Sequence, residues 1–153
     1  MGVRLSEEEA WEAIAAAHTG VLTTLRADGT PVALPVWFVA LDRAIYVSTP
    51  SRAKKVARVR NDPRASFLVE SGERWAELRA VHLSGAVAVV DDRAMVDMVA
   101  AALDAKYAAF RTASAAMPTA TRAHYADRTV VRFVPSGRIL SWDNARLDLG
   151  EAE

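Results

Sequence analysis

The turn Ala27-Asp28-Gly29-Thr30 constrains the fold of this chain more than any other short segment. It separates two runs rich in β-forming residues, at positions 21–25 and 32–39. An Asp-Gly pair between such runs favours a tight hairpin, because glycine adopts positive φ without steric cost. The sequence therefore predicts two antiparallel strands joined at this turn.

Further strand-like runs cover residues 44–49, 65–70, 75–90 and 128–134, and residues 139–142 continue the last run after a turn. Within the long 75–90 run, Gly85 predicts a bend or a bulge. Helices are expected from Ser6, which forms a capping box with Glu9, to about residue 18, from Ser51 to about residue 60, and over residues 91–110. This pattern predicts a mainly β (α+β) fold, a six-stranded antiparallel barrel with peripheral helices.

The chain length of 153 residues fits one domain, and no linker-like segment divides it, so a single domain over residues 1–153 is expected. Residues 112–123 are rich in Ala, Thr and Ser and contain Pro118. That composition predicts a mobile loop.

Charge and composition exclude several functional classes. The 19 Lys and Arg residues balance the 19 Asp and Glu residues, so no overall field favours nucleic acid or an anionic membrane. Cysteine is absent, which removes disulfides, thiol catalysis and zinc–thiolate sites. The three histidines lack metal-binding spacing, so we expect no metal site. No membrane-length apolar run occurs, and a cytoplasmic location is expected.

The second strand-like run has no polar face. Leu34 and Val36 alternate with Ala33, Pro35 and Trp37, so both faces should be covered. One face would pack on the core and the other on a ligand or a second subunit. Because Pro35 cannot donate a ladder hydrogen bond, the strand should have an edge or a break there. An edge strand closed by the first helix is an equally good interpretation.

The second predicted helix, which follows residues 44–49, has an unusually basic start. Ser51 is a suitable N-cap, and Arg52, Lys54 and Lys55 lie where a first helical turn usually carries acidic residues. An external phosphate would relieve this conflict with the helix dipole, so the segment predicts a phosphate site. The alternative interpretation is a solvated basic face.

These segments together resemble the pyridoxamine-5′-phosphate-oxidase-like split β-barrel superfamily, and within it the actinobacterial branch that binds the deazaflavin coenzyme F-420. The residues that carry the resemblance are Val21-Leu-Thr-Thr-Leu-Arg-Ala-Asp-Gly-Thr-Pro31, Pro35-Val-Trp-Phe, Tyr46-Val-Ser-Thr, Lys54-Lys55, Arg60-Asn-Asp-Pro-Arg-Ala-Ser66, Leu78-Arg79 and Leu83-Ser-Gly-Ala-Val. The tail Ser141-Trp-Asp-Asn-Ala-Arg-Leu147 is similar to a subgroup ending in Ser-Trp-Asp-His-Arg-Lys-Leu, but Asn144 and Ala145 depart from that pattern.

The resemblance implies a homodimer with the cofactor between subunits. By position, the phosphate end would contact Ser51, Arg52, Lys54 and Lys55, with Lys55 the best match. The tricyclic ring would pack on the second and third strands. The corresponding positions are Ala33, Leu34, Pro35, Val36, Ser48 and Thr49.

The activity implied by the resemblance is hydride transfer from reduced F-420 to a small organic acceptor, which the sequence does not identify. Trp37, Trp75 and Arg79 are candidates for the substrate pocket. His82 and Tyr46 are weak catalytic candidates, and each is as well explained as a packed residue.

Two alternatives stay open at this point. One is an FMN-binding member of the superfamily, although the positions where FMN-type members carry a basic residue on the second strand are the neutral Ala33 and Phe38. The other is a carrier that binds deazaflavin without turnover.

Overall fold

The computed structural model of the protein describes residues 2–148, and this part of the chain contains eight strands that join one antiparallel sheet. The strands are β1 (Gly20–Leu25), β2 (Pro31–Val36), β3 (Val39–Leu41), β4 (Ala44–Pro50), β5 (Arg64–Ser71), β6 (Arg79–Val89), β7 (Arg128–Pro135) and β8 (Leu140–Asp143). The predicted mainly β architecture of a split barrel with peripheral helices is confirmed. The predicted count of six strands is too low, because the 32–39 run divides in two and 140–143 forms a separate strand.

Four helices flank the sheet in the described part of the chain. They are α1 (Glu7–Ala16), α2 (Lys54–Asn61), α3 (Arg93–Tyr107) and α4 (Thr119–Ala126). The predicted capping box of α1 is present, with Ser6 Oγ accepting from Glu9 N at 3.2 Å and Glu9 Oε2 accepting from Ser6 N at 2.7 Å.

The strand order is β2-β1-β5-β6-β7-β4-β3, so β2 and β3 form the two edges of the sheet. These edge strands follow each other directly in sequence, separated only by Trp37 and Phe38. The sheet must therefore curl until its edges approach, which makes it a barrel that is split between β2 and β3. The break that Pro35 suggested occurs two residues later, and β2 is indeed an edge strand.

The Tyr107 side chain closes this split. Its hydroxyl oxygen accepts a hydrogen bond from Phe38 N at 3.0 Å, and its proton is directed to His18 O at 2.8 Å and Phe38 O at 3.0 Å. Lys106 Nζ donates a further bond to Phe38 O at 3.1 Å. Thus helix α3 supplies the partners that a neighbouring strand would otherwise give to the buried backbone of Phe38.

The apolar core has two parts. The barrel interior holds large buried side chains such as Ile14, Phe38, Phe67 and Phe133, and Phe67 meets Phe38 edge to face at 4.8 Å. The second part lies outside the sheet, where α3 packs on β3, β4 and β7. Each part excludes water from one face of β4, which explains why most of this strand is buried on both faces.

Strand β6 changes partners along its length. It pairs with β5 over most of its residues, with β8 at its start and with β7 at its end. Gly85 lies where the pairing with β7 begins, and a Cβ there would overlap the backbone of Val134 and Pro135. The pairing with β5 continues through Gly85 without the predicted bulge, and the glycine is explained instead by the close approach of β7.

The segment 140–147, near the C-terminal end of the described chain, packs against the N-terminal residues 3–9. Asp143 N donates to Val3 O at 2.7 Å, and Leu5 N donates to Ser141 Oγ at 3.0 Å. Arg146 Nη2 lies 2.7 Å from Glu9 Oε1, and this contact joins the tail to α1. The tail residues that resemble a subgroup motif thus hold the N-terminal segment against the sheet.

Two local predictions are wrong. Ser51 does not cap α2: the capping position is Ala53, which makes no side-chain cap bond, and Ser51 Oγ instead donates to Asp127 Oδ1 at 3.1 Å.

Residues 112–123, predicted as a loop, contain a 3₁₀ turn at Ser114–Ala116 and the first residues of α4. Pro118 occupies the position before that helix, where its fixed φ and missing N–H favour a helix start. The mobility of this segment stays a prediction.

No helix in residues 2–148 has the length and apolar character needed to cross a membrane.

We expect Tyr107→Phe to lower the free energy of unfolding by about 1–3 kcal/mol, because the buried Phe38 N–H would lose its partner. Urea denaturation of the variant and the parent protein would measure the change. Tyr46→Phe is a matched control, since Tyr46 is also buried but its hydroxyl makes no hydrogen bond to residues 2–148. An equal loss in both variants would contradict the role assigned to the Tyr107 hydroxyl.

We expect acid to weaken the attachment of the tail to α1. The hydrogen bond from Arg146, followed by that from Ser6 N, lowers the pKa of Glu9 to about 2. This carboxylate therefore stabilises the fold fully above pH ~4.3, its ordinary value, and the contribution is lost as the pH falls towards 2. In thermal melts between pH 2 and 5, Glu9→Gln should reduce the acid sensitivity, whereas Glu8→Gln should leave it unchanged.

Candidate functional site

An open cleft of about 500 Å³ lies between the end of β2 and the end of β4, beside the split in the barrel. Strand β7, helix α2 and helix α4 complete its walls. Its lining consists of Thr19, Pro35, Val36, Trp37, Val47, Ser48, Thr49, Pro50, Lys55, Tyr125 and Arg128.

One end of the cleft is positively charged. The side chain of Lys55 is half-buried, and its pKa lies below the usual value because of burial first and then the nearby charges of Arg58 and Arg128. Neither Lys55 nor Arg128 forms an ion pair with an acidic side chain of residues 2–148. Two neighbouring cations without a counter-charge favour an anionic ligand.

The Arg128 guanidinium is held in place by β4. Its Nε donates to Ser48 Oγ at 2.9 Å and its Nη2 donates to Ser48 O at 2.8 Å. Burial of the guanidinium, and next the charge of Arg111, lowers the pKa of Arg128. Because β4 pairs with β7, the backbone register places Arg128 opposite Pro50 at the mouth of the cleft.

Thr49 provides a polar group that lacks a partner. The residue is 1% exposed, and its Oγ1 makes no hydrogen bond within residues 2–148. A buried hydroxyl without a partner costs free energy, and a ligand oxygen beside it would remove that cost. Together with Lys55 and Arg128, this hydroxyl fits the phosphate end of a ligand.

The start of α2 is consistent with the same chemistry. The helix begins at Lys54 with no side-chain cap and no acidic residue in its first turn. Its free N–H groups and the positive end of its dipole therefore have no negative partner from the described chain. This is the electrostatic situation that the sequence predicted, with the helix start displaced from Ser51 to Lys54.

The other end of the cleft is apolar and aromatic. Pro35, Val36 and Trp37 form this wall, and the Trp37 ring stacks on Tyr107 with 4.4 Å between ring centroids and 5° between planes. A smaller cavity of about 160 Å³ adjoins the cleft at Trp37, Ser48 and Arg128, and Arg111 lines it. The site thus combines a cationic end with a flat apolar end.

Six of the residues predicted to bind cofactor or substrate line this cleft: Pro35, Val36, Trp37, Ser48, Thr49 and Lys55. Ala33 and Leu34 are exposed on β2 away from it, and Arg52 and Lys54 are exposed at the start of α2. Ser51 is bonded to Asp127 and does not line the cleft.

The remaining candidates lie elsewhere. Tyr46 is buried among the residues between the sheet and α3. Trp75 is 61% exposed in a 3₁₀ turn, and His82 lies on β6 with an Nδ1 atom that has no partner in residues 2–148. Arg79 lines a second cavity of about 430 Å³, which shares only Thr19 with the lining of the cleft. The Nε atom of Arg79 lies 3.6 Å from Asp143 Oδ2.

Sequence reasoning missed Arg128 and Tyr125. Arg128 begins a strand-like run, but its position in the cleft depends on pairing between β4 and β7, which are about eighty residues apart. Tyr125 lies on α4, a helix that the Pro118 start signal followed by helix-forming residues could have indicated.

Comparison with known proteins places these features in a family. A conserved hypothetical protein from Mycobacterium tuberculosis is similar over 99% of this chain and 93% of that chain, with 28% identity and a TM-score of 0.82. An FAD-binding protein from Mesorhizobium loti (19% identity, 90% of this chain and 93% of that chain, TM-score 0.68) has the same fold. A protein described as an F-420 reductase (20% identity, 84% of this chain and 94% of that chain, TM-score 0.63) also has this fold.

The comparison with curated protein sequences gave no significant match. The family profile described as pyridoxamine 5′-phosphate oxidase matches residues 6–138, which include every strand from β1 to β7 and the whole lining of the cleft. The chain therefore belongs to the pyridoxamine 5′-phosphate oxidase family.

Proposed function

We propose that this protein binds the deazaflavin F-420 in the cleft and transfers a hydride from its reduced form to a small organic acceptor. The observation that carries the proposal is the pair of cations Lys55 and Arg128, which have no acidic partner in residues 2–148. They line the same cleft as Thr49, whose hydroxyl is unpaired. These groups would hold the phosphate of the cofactor. When bound, the cofactor would supply the hydride chemistry.

The shape of the cleft supports a ligand with a planar ring. Pro35 and Val36 offer an apolar strand surface, and Trp37 is kept rigid by its stacking on Tyr107. A ring placed there would be oriented by van der Waals contact and kept from bulk water on one side. The residues of the cleft would therefore bind and orient the ligand, since no acidic or histidine side chain of residues 2–148 lines it.

FMN is the second candidate. The second strand supplies no basic residue, since its candidate positions are the neutral Ala33, exposed outside the cleft, and Phe38, fully buried in the core. The observation that favours FMN is Arg128, which brings a second cation to Lys55 from β7. A site with two cations can bind the phosphate of FMN as well as that of F-420.

A homodimer would complete the cleft. Five residues form one row across the outer face of the sheet, since the registers pair Pro35 with Val21, Val21 with Leu68, Leu68 with His82, and His82 with Leu140. None of the five is fully buried in the single chain, and Leu140 is 53% exposed. Pro35 belongs both to this row and to the cleft. A second copy covering the row would therefore lie directly against the bound ligand.

The ligand is identified by fluorescence titration of the purified protein with F-420 and with FMN at the same salt concentration. We expect F-420 to bind with micromolar or tighter affinity and FMN to bind more weakly. The reverse preference would replace the deazaflavin proposal with the FMN alternative, and binding of neither would contradict both. Tight F-420 binding without reduction of any acceptor would favour a carrier.

Lys55→Ala should weaken F-420 binding by about 1–3 kcal/mol, or roughly 5- to 150-fold, because a charged hydrogen bond to phosphate is lost. Lys54→Ala is the matched control, since it removes the same charge from the neighbouring, exposed position of α2. We expect it to change the affinity less than threefold, on the scale of an exposed charge. Equal losses would mean that the overall charge of α2, and not contact with Lys55, determines binding.

Light scattering should give a mass of twice 16.6 kDa for the parent protein. Leu140→Glu should shift the equilibrium towards the monomer, because it adds a charge to this row, four of whose five residues are apolar. Met98→Glu, at a residue that is also exposed but lies on α3, is the control. A monomeric parent protein, or an unchanged dimer in Leu140→Glu, would contradict the proposed interface.

A further inference from the structure

The segment between α3 and β7, residues 108–127, is held to the rest of the protein by few contacts. None of its twenty residues is buried, and only Met117 and Thr121 are half-buried. Its two large apolar side chains at the ends, Phe110 and Tyr125, are 61% and 47% exposed. We call this segment the strap.

Helix α4 within the strap has little intrinsic stability. It is eight residues long, has no side-chain cap at Pro118 and buries no side chain. Isolated helices of this length are marginal in water, and most helices depend on the burial of an apolar face. The conformation of α4 is therefore sensitive to any additional surface on which it can pack.

One end of the strap borders the cleft, and the other borders the smaller cavity beside it. At the first end, the Arg111 guanidinium lies 5.9 Å from the Trp37 ring and lines the smaller cavity. At the other end, Tyr125 lines the main cleft, and its ring lies 5.5 Å from the Arg128 guanidinium. A ligand between Trp37 and Arg128 would thus have strap residues on both sides.

Both ends of the strap are anchored. The first follows Tyr107, which is fully buried and bonded to Phe38 and His18. The other is fixed at Asp127, whose carbonyl oxygen accepts from Ser51 N at 3.0 Å and whose Oδ1 accepts from Ser51 Oγ at 3.1 Å. A segment with fixed ends and weak contacts between them can move over the cleft without disturbing the sheet.

We infer that the strap closes over the phosphorylated ligand of the cleft, with Tyr125 packing on the ligand beside Arg128 and Arg111 contacting its anionic part. Closure would bury part of the Tyr125 ring and give α4 the packing surface it lacks. Arg111 is free to turn inward, because its ion pair with Asp104, at 3.0 Å, is exposed and weak. This inference rests on the proposed function, since it requires a ligand in the cleft.

Hydrogen exchange of the full chain, measured by mass spectrometry, tests the closure. In the free protein, amides of residues 119–126 should exchange rapidly. Saturation with F-420, or with FMN if that is the ligand that binds, should slow them at least tenfold. The hairpin turn at residues 27–29 is the internal control, since it is exposed and distant from the cleft, and its exchange should not change.

A pair of variants tests the contact made by Tyr125. Tyr125→Ala should raise the dissociation rate of the ligand about three- to tenfold, as expected for the loss of an aromatic contact, with little change in the association rate. Arg122→Ala is the control on the same helix, because Arg122 is exposed and does not line the cleft. Its dissociation rate should match that of the parent protein.

Three outcomes would overturn the inference while leaving the proposed function intact: tight ligand binding with unchanged exchange in residues 119–126, slow exchange there already in the free protein, or an unchanged dissociation rate in Tyr125→Ala. Failure of both F-420 and FMN to bind would overturn the proposed function and the closure together.

Discussion

The hydroxyl group of Tyr107 forms hydrogen bonds with the backbone between the two edge strands, where the sheet provides no partner. The chain passes from one edge strand to the other through Trp37 and Phe38, and Phe38 is fully buried there without a strand partner. Buried peptide groups need hydrogen bonds, and the hydroxyl serves both the N–H and the carbonyl of Phe38. The barrel can therefore remain split without leaving the peptide groups of Phe38 unpaired in its core.

The same arrangement determines one wall of the cleft. Because Tyr107 is fixed by hydrogen bonds, the Trp37 ring that stacks on it is also fixed, and Trp37 lines both the cleft and the smaller cavity. Lys106 reinforces this region from the neighbouring helical position, with its ammonium 3.9 Å from the Phe38 ring centroid. The ammonium of Lys106 is only partly hydrated, and this burial lowers its pKa to about 8. A packing element of the core and a surface of the site are thus one structural unit.

Local signals in the sequence were sufficient for much of the fold. The Asp28-Gly29 turn and the capping box of α1 each depend on neighbours within a few residues, and both occur as predicted. Features that depend on distant partners were not predictable in this way. Ser51 has the composition of a helix cap, yet the proximity of Asp127 gives its hydroxyl a different acceptor.

The same distinction between local and distant signals applies to the residues of the candidate site. Lys55 could be singled out because cations at a helix start are unusual in themselves, whichever residue begins the helix. The strand residues Pro35 and Thr49 followed from position in a family pattern. Arg128 could not be found, because nothing near it in sequence indicates that β7 lies beside β4. Arg128, one of the two cations, could therefore be identified only from the register of the sheet.

The pairing of β4 with β7 also determines how late in protein synthesis the sheet can be completed. Strand β4 ends at Pro50 and pairs with β3 on one side, but its partner on the other side begins only at Arg128. The growing chain therefore carries an inner strand with one unpaired side until most of its residues have been made. Such distant pairing slows folding, because a long loop must be closed before any contact compensates for the lost entropy. The cleft, which needs residues from both strands, forms only at this last stage. Occupation of the cleft by a ligand would therefore distinguish finished chains from incomplete ones.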